Sequence, residues 1–122
     1  MRADLFVYGT LRRSEHAHAL LGQDALFLGE AVTIPSYTLY QLGWYPGLVE
    51  DGTTGVTGEI WSIRMEQWPS LDEYEGVPGD YVRKKIELIG DKYAYTYIYI
   101  GTLHNAILLA GGDWMKRSQS HE

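Results

Sequence analysis

Apolar and polar residues alternate along most of this chain with the period of two that a pleated strand imposes, and one short stretch shifts to a helical period. The apolar run Leu5-Phe6-Val7-Tyr8 predicts a buried first strand, ending at Gly9. Residues 25–34 and 37–42 predict two more strands, separated by a turn or bulge at Pro35-Ser36. Val56-Thr57-Gly58-Glu59-Ile60-Trp61-Ser62-Ile63 alternates cleanly, which puts Glu59 on the side opposite Val56 and Ile60, where pairing with an arginine is the ordinary fate of a strand glutamate. Residues 81–89 and 92–100 predict a hairpin across Gly90-Asp91, with Tyr93, Tyr95, Tyr97 and Tyr99 on one face as cross-strand packing. Asp51-Gly52 gives a second hairpin signal. Between them, residues 43–49 read as an aromatic loop whose rings either plug the core or wall a pocket. Ser14 stands where it would cap a short helix over residues 15–21, closed by Gly22.

The helical period begins near Met65, and Pro69 is compatible with it only inside the first turn. At about 100° per residue, Trp68, Leu71 and Glu75 share one stripe, while Glu66 and Glu73 look the other way. Gly76 supplies the residue that ends such a helix in a left-handed turn. A carboxylate on the apolar stripe needs a reason. Either Glu75 caps or pairs with a neighbour, or it does proton chemistry with a shifted pKa.

Composition narrows the function classes. A chain of 122 residues with 45% hydrophobic content can fill one core, so a single domain is expected, with residues 110–122 as a loosely ordered tail that Trp114 pins to the body. Fourteen glycines and ten tyrosines favour short strands and tight turns over a helical bundle. A net charge of −6 leaves no basic stripe for a nucleic-acid backbone. The absence of cysteine removes disulfides, thiol catalysis and cysteine-ligated metals. No apolar run follows Met1 or approaches spanning length, so no membrane partner and a cytoplasmic location are expected. The chain is expected to be a monomer or a homodimer.

Candidate chemistry starts at the first strand's exit, Gly9-Thr10-Leu11-Arg12-Arg13. A glycine turn after a buried strand is either an ordinary exit or a place where backbone N–H groups meet a ligand. His16 and His18 do not make a metal site, because helix positions two apart diverge by about 200°. His104 and His121 lack ligand spacing as well.

Four local patterns then occur in order: Val7-Tyr8-Gly9-Thr10-Leu11-Arg12, Tyr45-Pro46-Gly47-Leu48, Val56-Thr57-Gly58-Glu59-Ile60-Trp61, and Leu71-Asp72-Glu73-Tyr74-Glu75-Gly76 followed by Tyr81-Val82-Arg83. Their joint order resembles the gamma-glutamylcyclotransferase superfamily, whose members include gamma-glutamylamine cyclotransferases, over about residues 4–100. The resemblance implies an α+β fold, a small mixed barrel-like sheet with a few short helices enclosing a substrate cavity. It implies that Tyr8, Gly9, Thr10 and Leu11 hold the gamma-glutamyl group through main-chain groups, that Glu75 is the catalytic acid/base, and that Tyr81 lies near the cavity. The implied reaction is attack of the substrate's own alpha-amine on its gamma-carbonyl, releasing 5-oxoproline and an amine or amino acid, with no metal and no organic cofactor. The competing reading is a non-catalytic small-ligand module on the same fold. Glu59 and Arg83 are left between lining the pocket and pairing with each other.

Overall fold

The computed structural model describes residues 1–117. Eight strands form one sheet: β1 Arg2–Val7, β2 Leu26–Val32, β3 Tyr37–Gln41, β4 Pro46–Thr54, β5 Thr57–Arg64, β6 Tyr81–Leu88, β7 Lys92–Tyr99 and β8 Ile107–Leu108. The order is β2-β5-β1-β7-β4-β3-β8, with β6 on the far edge of β7. Strand β7 runs parallel to both β1 (Leu5 opposite Tyr95) and β4 (Leu48 opposite Ile98), and those two share its second edge. A single bridge, Thr33 to Leu88, brings the end of β6 to the end of β2 without a continuous ladder. The sheet curls strongly but does not close, so it is barrel-like only in a loose sense.

The curl gives β1 two buried faces. Leu5 and Val7 enter one apolar cluster with Leu21, Ile63, Trp68 and Leu71, while Phe6 and Tyr8 enter another with Leu39, Leu48, Ile98 and Trp114. A strand covered on both sides has no wet face, which is why its sequence reads as an unbroken apolar run. The expected β6–β7 hairpin forms across residues 89–91, and its tyrosine face grades from exposed Tyr93 to buried Tyr97.

The one α-helix among the described residues, α1, spans Trp68–Glu75 and is preceded by a 3-10 turn at Met65–Gln67. Trp68 and Leu71 are buried, and Glu66 and Glu73 are exposed, as the stripe predicts. Gly76 is left-handed (φ 71°, ψ 39°), and Val77 N–H reaches Asp72 O at 3.0 Å while Gly76 N–H reaches Glu73 O at 3.1 Å. That pair of bonds is the Schellman closure a glycine permits. Asp72 fixes the helix to the sheet: its carboxylate accepts from Arg83 of β6 at 3.0 Å and from the Tyr97 hydroxyl of β7 at 2.7 Å. Arg83 also stacks over the Trp68 ring at 4.1 Å.

Three local expectations are corrected. Asp51-Gly52 is no hairpin turn but an irregularity inside β4, where the register jumps from Tyr37–Thr54 to Thr38–Val49 and the Thr38 hydroxyl bonds Asp51 O at 2.6 Å. The aromatic loop is shorter than residues 43–49, because Pro46 already pairs with Gln41 and the turn closes by Leu42 N–H to Tyr45 O. Ser14 does not cap a helix: it sits at φ 70°, its hydroxyl donates to Arg13 O, and only a 3-10 turn, His18–Leu21, forms before Gly22. Toward the C-terminus Trp114 is 1% exposed, packed in the core inside a short 3-10 turn. His121 lies outside the described residues.

Candidate active site

Close approach of a glycine backbone to a proline ring shapes the site. At the exit of β1, a Cβ built on Gly9 would meet Pro46 Cγ at 2.2 Å, so only a residue without a side chain lets this turn lie against the start of β4. The hydroxyl of Tyr8 donates to Tyr97 O at 2.7 Å and accepts from Leu48 N–H at 3.2 Å. Tyr81 donates to Pro46 O at 2.7 Å. These two rings tie β1, β4, β6 and β7 around a common hollow. Gly9→Ala is expected to cost about 1–3 kcal/mol as overpacking and to loosen the cavity wall; an unchanged melting temperature would show that Pro46 yields freely.

A cavity of about 320 Å³ occupies that hollow, and Tyr8, Gly9, Thr10, Leu11, Glu75 and Tyr81 all line it. The fold thus brings to one cavity the six residues that the family resemblance implied for the site. Arg83 and Glu59 are not among the lining residues. Arg83 pairs with Asp72, and Glu59 pairs with Arg12, not with Arg83.

The strand-exit turn is rich in unspent donors. Among the described residues, the amides of Gly9, Thr10 and Leu11 donate no hydrogen bond, whereas their carbonyls accept from Arg12 N–H at 3.0 Å, Ala17 N–H at 3.1 Å and His18 Nδ1 at 2.9 Å. Three successive N–H groups on cavity-lining residues are a ready seat for a carboxylate or an oxyanion. The turn is held from behind by Arg12, buried, which pairs with Glu59 at 3.2 Å and with Asp113 at 3.2 Å. Glu59 also accepts from Arg13 N–H and from the Trp61 indole, both at 3.0 Å. Burial pushes the Glu59 carboxyl up, but these donors and the Arg12 charge outweigh it and hold it below the usual range.

Glu75 has the opposite environment. It is partly buried, and among the described residues nothing donates a hydrogen bond to its carboxylate. Burial alone pushes it up from 4.5 to about 7. Burial, reinforced by the Glu75 charge, raises the Tyr8 phenol far above its ordinary value. Burial raises Tyr81 likewise, with Tyr8 and Glu75 adding to it. Both rings therefore stay protonated and serve as walls whose hydroxyls are committed to backbone carbonyls. Thr10 joins the turn to α1 through Tyr74, Oγ1 to the phenol oxygen at 2.9 Å. Sequence reasoning passed over Tyr74 and Asp80, which also line the cavity; their only local signal was proximity to Glu75. Among the described residues no group of three or more His, Asp or Glu is placed to hold a metal ion. No helix there is long and apolar enough to cross a membrane.

The profile of the family described as gamma-glutamyl cyclotransferase, AIG2-like, matches residues 5–116. The chain belongs to this family. A relative from Vibrio cholerae, provisionally named a gamma-glutamylcyclotransferase, is 43% identical over 114 residues, covering 93% of this chain and 96% of that protein. The solution structure of the Escherichia coli protein ytfP superimposes with a TM-score of 0.73 at 33% identity, covering 95% and 97% of the two chains. The gamma-glutamylaminecyclotransferase of Rattus norvegicus is 33% identical over 95 residues, which cover 70% of this chain and 63% of the rat protein. Membership of the gamma-glutamylcyclotransferase family points to a cyclotransferase acting on a small gamma-glutamyl compound.

Proposed function

We propose that the protein is a gamma-glutamyl(amine) cyclotransferase that closes the glutamyl moiety of its substrate to 5-oxoproline, with Glu75 as general acid/base. The observation that carries this reading is the pairing, in one cavity, of a carboxylate that has a pKa near 7 and no hydrogen-bond partner among the described residues with three amides that donate to none of them.

The substrate's alpha-carboxylate or its developing oxyanion takes the N–H groups of Gly9, Thr10 and Leu11. Ionised Glu75 removes a proton from the alpha-ammonium. The freed amine attacks the gamma-carbonyl carbon and forms the ring C–N bond. Glu75-H then gives its proton to the departing nitrogen as the original amide C–N bond breaks. Ionised Glu75 takes the second proton from the ring nitrogen, which becomes an amide N–H, and passes it to the released amine, which leaves as an ammonium. Nucleophile and electrophile are in one molecule, so the protein's task is folding the substrate and moving two protons from the attacking nitrogen to the departing one. Orientation of this kind is worth about 7–11 kcal/mol. One well-placed oxyanion donor adds about 2.7–4 kcal/mol. No metal, organic cofactor or side-chain nucleophile enters the scheme.

Incubation with gamma-glutamyl compounds, followed by detection of 5-oxoproline, tests the reading. Product should appear with an acid limb near pH 7, since Glu75 must be ionised to accept the first proton. Tight binding of every such compound with no product would favour the non-catalytic module instead.

A further inference from the structure

The cyclotransferase reading leaves the leaving group open, and the mouth of the cavity has a chemistry of its own. At the deep end the lining residues Tyr8, Thr10, Leu11, Tyr81 and Tyr97 are buried. The lining residues that reach solvent are His16, Trp44, Tyr45, Tyr74 and Asp80. With the glutamyl part seated on the turn amides and its amide beside Glu75, the amine part must pass this exposed set.

No lysine or arginine lines the cavity, whereas Glu75 and Asp80 both do. Arginines on neighbouring elements are committed elsewhere: Arg12 to Glu59 and Asp113, Arg13 over the Phe27 ring, and Arg83 to Asp72. Asp80 has no such commitment: among the described residues its carboxylate forms no salt bridge, and its Oδ2 lies 3.4 Å from where a Cβ added to Gly76, directly after Glu75, would stand. Trp44 is 89% exposed and Tyr45 45% exposed, so two aromatic faces stand at the opening with little protein covering them. A carboxylate that lines the same cavity as two open aromatic faces suits a cation and repels an anion. Resting on the cyclotransferase reading, we propose that the preferred leaving group is an amine bearing a second positive charge and no carboxylate, recognised by Asp80 and the rings of Trp44 and Tyr45.

Three gamma-glutamyl compounds of matched length decide it: the adducts of diaminobutane, butylamine and aminobutyrate, which end in a cation, a methyl group and an anion. Release of 5-oxoproline is followed at pH 8 and low salt. The diaminobutane adduct should exceed the butylamine adduct by about five-fold in kcat/KM, and the aminobutyrate adduct should trail both, the scale of a partly exposed charge pair. Asp80→Asn should reduce the advantage of the cation to about two-fold, and raised ionic strength should shrink it in the parent protein. Trp44→Ala should lower the same ratio through loss of the ring face. Equal rates for the diaminobutane and butylamine adducts would overturn the proposal, as would an aminobutyrate adduct that matches or beats them. If none of the three is cyclised, the catalytic reading falls; calorimetric binding of the same compounds then still ranks cation against anion at the mouth and judges the leaving-group proposal separately.

Discussion

Glu75→Gln is expected to lower the rate of 5-oxoproline release by about 10²–10⁴-fold, the usual worth of a positioned acid/base, with little change in substrate affinity. Glutamine keeps the shape and the hydrogen-bonding capacity of the side chain but carries no titrating proton. The acid limb near pH 7 should vanish with it, leaving a flat residual rate from orientation alone. The same substitution has a stability signature of known sign. The folded-state pKa of Glu75, about 7, lies above its unfolded value of 4.5. The fold therefore favours the neutral carboxyl: that contribution is complete below pH 4.5 and is lost as pH rises through about 7. At pH 8 ionised Glu75 costs the native state on the order of 3 kcal/mol, so Glu75→Gln should be the more stable protein there and nearly equal to the parent at pH 4. Denaturant titrations at both pH values, set beside the rate, separate a proton carrier from a packing residue. A variant that turns over at the parental rate would remove Glu75 from the mechanism.

Arg12→Met should be the costliest substitution behind the site, at about 3–5 kcal/mol of folding stability. It leaves Glu59 and Asp113 without their shared cation, and the Glu59 side chain is 5% exposed. The Arg13 amide and the Trp61 indole still reach Glu59, which argues for the lower end of that range. Glu59 is held below its usual pKa, so in the parent its contribution is present above the unfolded value and is lost as pH falls through the folded one. In the variant, lowering the pH protonates an unpaired carboxylate, so the gap between the two proteins should narrow below about pH 5. The double substitution Arg12→Met with Glu59→Gln should recover part of the loss. A deficit that is independent of pH would mean that Arg12 acts only through its methylenes. Because the Arg12 side chain ties the turn that carries the Gly9, Thr10 and Leu11 amides to Glu59 and Asp113, that turn should loosen, and KM should rise in the single variant.

Local periodicity carried a good deal of the fold. The buried first strand, the β6–β7 hairpin, the stripe of α1 and its left-handed end at Gly76 depend on neighbours within a few residues, and those neighbours are visible in the sequence. The readings that changed were the ones a distant partner decides. Asp51-Gly52 looks like a turn until Tyr37 and Thr38 of β3 fix its register, and then it becomes an irregularity within β4. Ser14 has the chemistry of a cap, but Thr10 O and Arg12 O already claim the amides of Ala17 and Glu15, and no α-helix starts there. Glu59 has its arginine, as expected for a strand glutamate, yet which arginine depends on how β5 lies against the exit of β1. Asp113 joins them from 101 residues away along the chain.

By itself the sequence marked the residues now proposed to carry chemistry, a glutamate on an apolar stripe and a glycine turn after a buried strand, and motifs whose order marks the family. The tertiary structure decided what those residues face. The partial burial of Glu75 with no donor to its carboxylate among the described residues, and the packing of the Gly9 turn on Pro46, are properties of surfaces brought together from distant parts of the chain. Desolvation and hydrogen-bond accounting are sums over everything nearby in space, and nearness in space is what a one-dimensional pattern does not contain.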